Sequence, residues 1–214
     1  MDLVNPVWAE AKDPGAHSFT FREPSPTVKP EFRRAFPYIA KEVCVALVGT
    51  AAQPKIKEVQ VKIGGGRTSP VTLVVTPGTE VHFKNTDPFP HRLFGVDVKN
   101  FTVGDTQAQG ERVWTVPEAG VFEIRDELVP SLRSWVVADP NVAGFGYPDL
   151  SGNFSVELPV TGEFNVQVYF AGKVVGTAPT MNITSLQGPI DLSKAPIKLV
   201  DKSKAAADQA NEEK

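Results

Sequence analysis

The sequence predicts an all-β protein of the sandwich class, on three observations. Short runs alternate apolar and polar residues, turn-formers separate them at close intervals, and helical periodicity is scarce. Proline supplies much of the punctuation: 19 of 214 residues, against a usual share of about 5%. It cannot donate to a helix or a ladder, so its abundance implies many turns and short strands.

The strands are read in order. Val71, Leu73 and Val75 alternate with small or polar neighbours, Pro77-Gly78 turns the chain, and Val81 and Phe83 resume the period of two. Arg112 to Val116, Val121 to Ile124, Ser134 to Val137, Phe154 to Leu158 and Phe164 to Phe170 follow. Gly, Pro, Asn and Asp between them suit β-sandwiches. Val43 to Val48 is a continuous apolar run holding Cys44, the one cysteine; it reads as a buried strand with a buried thiol. Gly64 to Ser69 opens with three glycines, but no Gly-Lys-Ser/Thr ending or helix follows, so it reads as a hairpin and not a phosphate loop.

Composition excludes several classes. Hydrophobic residues are 41%, charged residues 22% and net charge is -3, with signs interspersed, so no nucleic-acid surface is advertised. One cysteine allows no intrachain disulfide framework or Cys-rich metal site. No stretch approaches the ~18 apolar residues of a membrane helix, and no signal segment opens the chain. An exported protein would have lost that segment, with Met1 an added start. Zinc-hydrolase spacings and a Gly-x-Ser-x-Gly elbow are missing, so no enzyme is expected. Asn100, Asn153 and Asn182 head Asn-x-Ser/Thr sites, meaningful only in a eukaryotic secretory context.

Six prolines lie in the first forty residues, with Trp8, Phe19, Phe21, Phe32, Phe36 and Tyr38 among them. Disordered arms are poor in aromatics, so this arm is expected to dock, either on its own domain or on a partner. The end after Val200 is Ala-rich and charged, and reads as a fraying tail.

Two segments carry a family resemblance. Gly78-Thr79-Glu80-Val81-His82-Phe83-Lys84-Asn85-Thr86-Asp87-Pro88-Phe89-Pro90-His91 resembles the strand and loop that deliver the first histidine ligand in cupredoxins. The likeness is to the bacterial cupredoxin-like proteins grouped with methylamine-utilization proteins. Their copper loop follows a Gly-Val strand and reads Cys-x2-His-Pro-x-Met, then an aromatic-Val strand. Here Gly120-Val121 leads to Asp126, Val129, Pro130 and Leu132, then Trp135-Val136. Registered on Pro130, the resemblance puts Asp126 at the thiolate position, Val129 at the second histidine and Leu132 at the methionine. Only His91 survives. A blue-copper centre needs a trigonal His2Cys set, so these four positions read as a vestigial site with no metal and no cofactor.

Strand parity puts Phe122, Ile124 and Asp126 on one face. A buried carboxylate is costly unless paired, so either His91 or Arg92 is expected to pair with Asp126; the alternative is a bent strand with Asp126 solvated. His82, between Glu80 and Lys84, reads as lying on a solvated face.

Asp149-Leu150-Ser151-Gly152-Asn153-Phe154 and Pro159-Val160-Thr161-Gly162-Glu163-Phe164 resemble the hairpin of carboxypeptidase-regulatory-like modules. The full expectation is a cupredoxin-like Greek-key β-sandwich plus a second small β-sandwich-like unit. It divides the chain into an arm 1–39, the sandwich 40–132, the second unit 133–200 and a tail 201–214. The strand at Val43 to Val48 would complete the second unit if the two interleave. The expected function is a non-catalytic interaction or structural protein, periplasmic or secreted, with a protein partner in a cell-envelope assembly. Phe19, Phe21, Phe32, Phe36, Phe89, Phe94 and Phe145 are the candidate contacts. The alternative is a metal-binding or redox cupredoxin using His91 with atypical ligands. A carbohydrate-binding sandwich would need an exposed aromatic platform at Trp114 or Trp135.

Overall fold

Where a strand has one solvated face it alternates, and where it is sandwiched it is apolar throughout. Both kinds occur in the computed structural model, which describes residues 42–149, 152–185 and 198–199. The described strands are β1 (Val43–Gly49), β2 (Glu58–Gly64), β3 (Arg67–Ser69), β4 (Thr72–Val75), β5 (Glu80–Asn85), β6 (His91–Gly95), β7 (Gly104–Thr106) and β8 (Glu111–Thr115). They continue with β9 (Gly120–Asp126), β10 (Arg133–Ala138), β11 (Val142–Gly146), β12 (Gly162–Phe170), β13 (Lys173–Thr177), β14 (Met181–Ile183) and β15 (Lys198–Leu199). The chain is all-β among the described residues. No helix among them is long and apolar enough to cross a membrane.

These strands form a front sheet β3-β2-β5-β8, a middle sheet β4-β10-β9-β6-β7 and a back sheet β11-β1-β12-β13-β15, with β14 on β12. Front and middle sheets enclose one core, built from Val61, Ile63, Val81, Phe83 and Trp114 against Leu73, Leu93, Ile124 and Val136. The other face of β4 and β10 offers Val74 and Val137 to Cys44, Ala46 and Val48 of β1 and to Tyr169 of β12. That is why β4 and β1 are buried along their whole lengths. The far face of β1 turns Val43, Val45 and Leu47 to a third cluster with Phe164 and Val166. Glycine makes the β2–β3 hairpin: Gly65 and Gly66 have φ of 60° and 72°, the positive values of a two-residue turn.

The boundary at 132/133 does not follow the sheets. β10, placed by sequence in the second unit, lies between β4 and β9 of the middle sheet, and β1, placed in the first, lies between β11 and β12 of the back sheet. Phe154 to Leu158 is not a strand in the described fold. Its Phe154, Val156 and Leu158 pack against the outer core, and it passes so close to β11 that a Cβ on Gly144 would stand 3.0 Å from Val156 Cγ1. The period of two there reports packing of an extended segment without a ladder.

Candidate functional site

Three loops meet at one end of the front–middle sandwich, and a buried polar chain ties them. Asn85, at the end of β5, is fully buried. Its Nδ2 faces the carbonyls of Phe89, Thr106 and Gln107 at 2.8, 3.2 and 3.0 Å, and its Oδ1 accepts from Asp87 N at 2.8 Å. Asn85 thereby shapes the 86–90 loop that delivers His91 to β6.

His91 is fully buried. Its Nδ1 lies 2.6 Å from Asp126 Oδ2 and its Nε2 3.1 Å from Asp87 Oδ2. Asp126 ends β9 on the inner face that strand parity assigns it. Its Oδ1 accepts from Leu128 N at 2.7 Å, Val129 N at 3.0 Å and, longer, Arg92 N at 3.4 Å. At the other end Asp87 Oδ1 accepts from Gly65 N at 2.9 Å. The sequence Gly65–Asp87–His91–Asp126–Leu128 therefore crosses from the β2–β3 hairpin to the β9–β10 loop. Burial pushes the Asp87 carboxyl up, but hydrogen bonds from Gly65 and His91, attraction to His91 and the Gly66 N–H outweigh it and hold Asp87 below the usual carboxylate range.

Of the two partners open to Asp126, the side chain present is His91. Arg92 points outward instead, pairing with Asp105 at 3.0 Å and Glu127 at 3.3 Å. Asp87 is the member that sequence reasoning missed. Its signal was available: it precedes His91 by four residues within the loop that delivers it.

This donor set does not fit a blue-copper centre. Both imidazole nitrogens are taken by carboxylates, Leu132 is fully buried in the hydrocarbon core, and Val129 packs against that core. Neither aliphatic side chain has a lone pair to offer. Among the described residues no group of three or more His, Cys, Asp or Glu is placed to hold a metal ion. Cys44 is buried on β1, and burial pushes its thiol up to about 12, away from the reactive thiolate.

The remaining candidates separate. Phe89 is 44% exposed, with its ring 5.2 Å from that of His91. Phe94 is half-buried. Phe145 is half-buried too, packing against two cores and meeting Tyr147 edge-on at 5.9 Å. Phe19, Phe21, Phe32 and Phe36 lie outside the described residues. His82 is less solvated than its neighbours suggest, at 24% exposure, with Glu111 at 3.3 Å and Glu58 and Glu80 near 4 Å. Trp114 is 3% exposed, which removes it as a sugar platform. Arg112 went unnoticed in the sequence; it stacks 4.0 Å over Phe101 and donates to the carbonyls of Leu93, Thr102 and Gly104, bracing the open edge between the sheets.

No family model matches the chain, and no curated protein matches it. Solved structures similar to it include a purple cupredoxin from Nitrosopumilus maritimus, 22% identical, with a TM-score of 0.33 over 38% of this chain and 99% of that one. An amicyanin variant in the reduced state is 16% identical, with a TM-score of 0.33 over 44% of this chain and 99% of its own. The copper(I) form of another amicyanin variant is 18% identical, with a TM-score of 0.36 over 44% and 98%.

Proposed function

We propose that the protein is a non-catalytic interaction protein of an extracytoplasmic, cell-envelope assembly, built on a cupredoxin-like sandwich whose metal end has become a polar tie. The observation that carries this reading is the chain Asp87–His91–Asp126, with His91 0% exposed and both its nitrogens engaged. A group held this way is spent on structure. What it holds still are two loops that each present an apolar side chain: Phe89 at 44% and Leu128 at 52% exposure. Large apolar side chains on a rigid rim suit protein contact. The extracytoplasmic setting rests on the family resemblance alone, as does the carboxypeptidase-regulatory-like reading of the Gly152 and Gly162 turns.

Two measurements test the reading. Copper titration of the purified protein is expected to give neither a charge-transfer band nor a rise in Tm, since a ligand that binds only the folded state must stabilise it. A band with a concentration-dependent rise overturns the proposal in favour of a metal protein. Phe89→Ser with Leu128→Ser should fold normally and lose the cross-linked partner that the parent chain captures from the native envelope. Equal capture by both chains removes the rim from the proposal.

A further inference from the structure

The described residues cover only half of the outer face of the middle sheet. The back sheet lies over β4 and β10, where Val74 and Val137 are 0% and 7% exposed. On β9 and β6 none of the described sheets lies over the same face. Residues paired across strands share a face; Val121 pairs with Val137, Glu123 with Trp135, and Arg125 with both Arg133 and Phe94. Val121 is 57% exposed, and Trp135 and Phe94 are half-buried. Among the charges between them, Glu123 holds Arg125 at 2.8 and 3.2 Å and faces Arg133 at 3.9 Å. The strip from Val121 past Trp135 to Phe94 thus offers apolar surface with no unpaired charge of its own on Glu123.

The chain outside the described fold arrives at the border of this strip. Val43, the first residue of β1, pairs with Phe170, two residues before Gly172 in the β12–β13 turn. That turn sits on the face in question. Ala171 N donates to Thr72 Oγ1 at 3.2 Å, and a Cβ on Gly172 would meet Val121 Cγ1 at 2.7 Å and Trp135 Cδ1 at 2.9 Å. Neighbouring strands are about 4.8 Å apart and an extended residue advances about 3.3 Å, so a few residues before Glu42 suffice to reach Val121. Those residues are Phe36-Pro37-Tyr38-Ile39-Ala40-Lys41, preceded by Phe32.

We propose that residues 32–39 of the proline- and aromatic-rich arm dock in cis on the uncovered half of the middle sheet, with Phe36, Tyr38 and Ile39 against Val121 and Trp135. Pro37 restricts the chain beside Phe36 and Tyr38 before it docks, which lowers the entropy lost on binding. The competing segment, residues 200–214, has no aromatic and is chiefly alanine and charge.

Spin-labelling tests this on the full chain. A nitroxide on Ala35→Cys is specific, since Cys44 is buried at 0% exposure. The Val121 methyl and Trp135 indole resonances should lose their intensity, while Val113, exposed on the front sheet, keeps its own. Val121→Asp, a substitution at a solvent-facing position, should restore the Trp135 signal with the fold intact. Broadening that persists in Val121→Asp overturns the proposal, as does a lack of broadening in the parent. Labelled chain mixed with isotope-enriched unlabelled chain should leave the latter unbroadened; broadening there assigns the face to a second copy. Broadening from a label on Ala206→Cys and none from Ala35→Cys assigns it to the tail. Either result also overturns the proposal.

Discussion

At His91, each ring nitrogen faces a carboxylate oxygen, Asp126 Oδ2 at 2.6 Å and Asp87 Oδ2 at 3.1 Å. Both carboxylates of the trio also draw on backbone donors. The backbone serves them at both ends, with Gly65 N on Asp87 and the Leu128 and Val129 N–H groups on Asp126. Such a cluster is weak grounds for stability as a whole, but removing one member leaves the others buried and unpaired. Asp126→Ala is therefore expected to cost about 3–5 kcal/mol in urea-denaturation stability; a cost below about 1 kcal/mol, the scale of an ordinary net hydrogen bond, would mean water already serves these groups. Asp87 gives a pH test. Its carboxyl is held below its ordinary value in the fold, so its contribution is present above the unfolded value of about 3.9 and is lost as pH falls through the lower folded value. Asp87→Asn should lower Tm at neutral pH, and the gap between the two Tm curves should close below about pH 4. A gap that stays constant through the acid range would rule out an ionised Asp87 as its source.

At the scale of elements, what the residues made legible was the face each strand buries. The parity of Phe122, Ile124 and Asp126 placed a carboxylate inside the sandwich, and β9 does turn Asp126 inward at 3% exposure. The apolar run at Val43 read as a buried strand with a buried thiol, and β1 is buried throughout. Partners were less legible. Nothing in the sequence of β1 says that its neighbours are β11 and β12, about a hundred residues later, because pairing depends on how the apolar faces stack. Asp87 escaped notice for another reason: its four-residue spacing from His91 was in the sequence, but a carboxylate in a Pro-flanked loop has the composition of a solvated turn. Phe154 to Leu158 shows the converse, since alternation marks a one-sided apolar surface whether or not a ladder runs beside it.

For the whole molecule, the sharing of strands sets how it unfolds. β10 supplies the inner core with Val136 and the back core with Val137, and β4 does the same with Leu73 and Val74. Those two strands are the wall between both cores, so loosening one core exposes the other. Small domains with a shared core unfold in one cooperative step, while separable units open independently. Trp114 reports on the front–middle core at 3% exposure, and the β1 amides report on the back sheet through their pairs to β11 and β12. In a denaturant series, the native Trp114 indole N–H resonance and hydrogen-exchange protection of β1 should be lost at the same midpoint. Protection of β1 lost at clearly lower denaturant, with Trp114 still native, would mean that the back sheet is a separable unit and that the Val74–Val137 contact does not couple the cores.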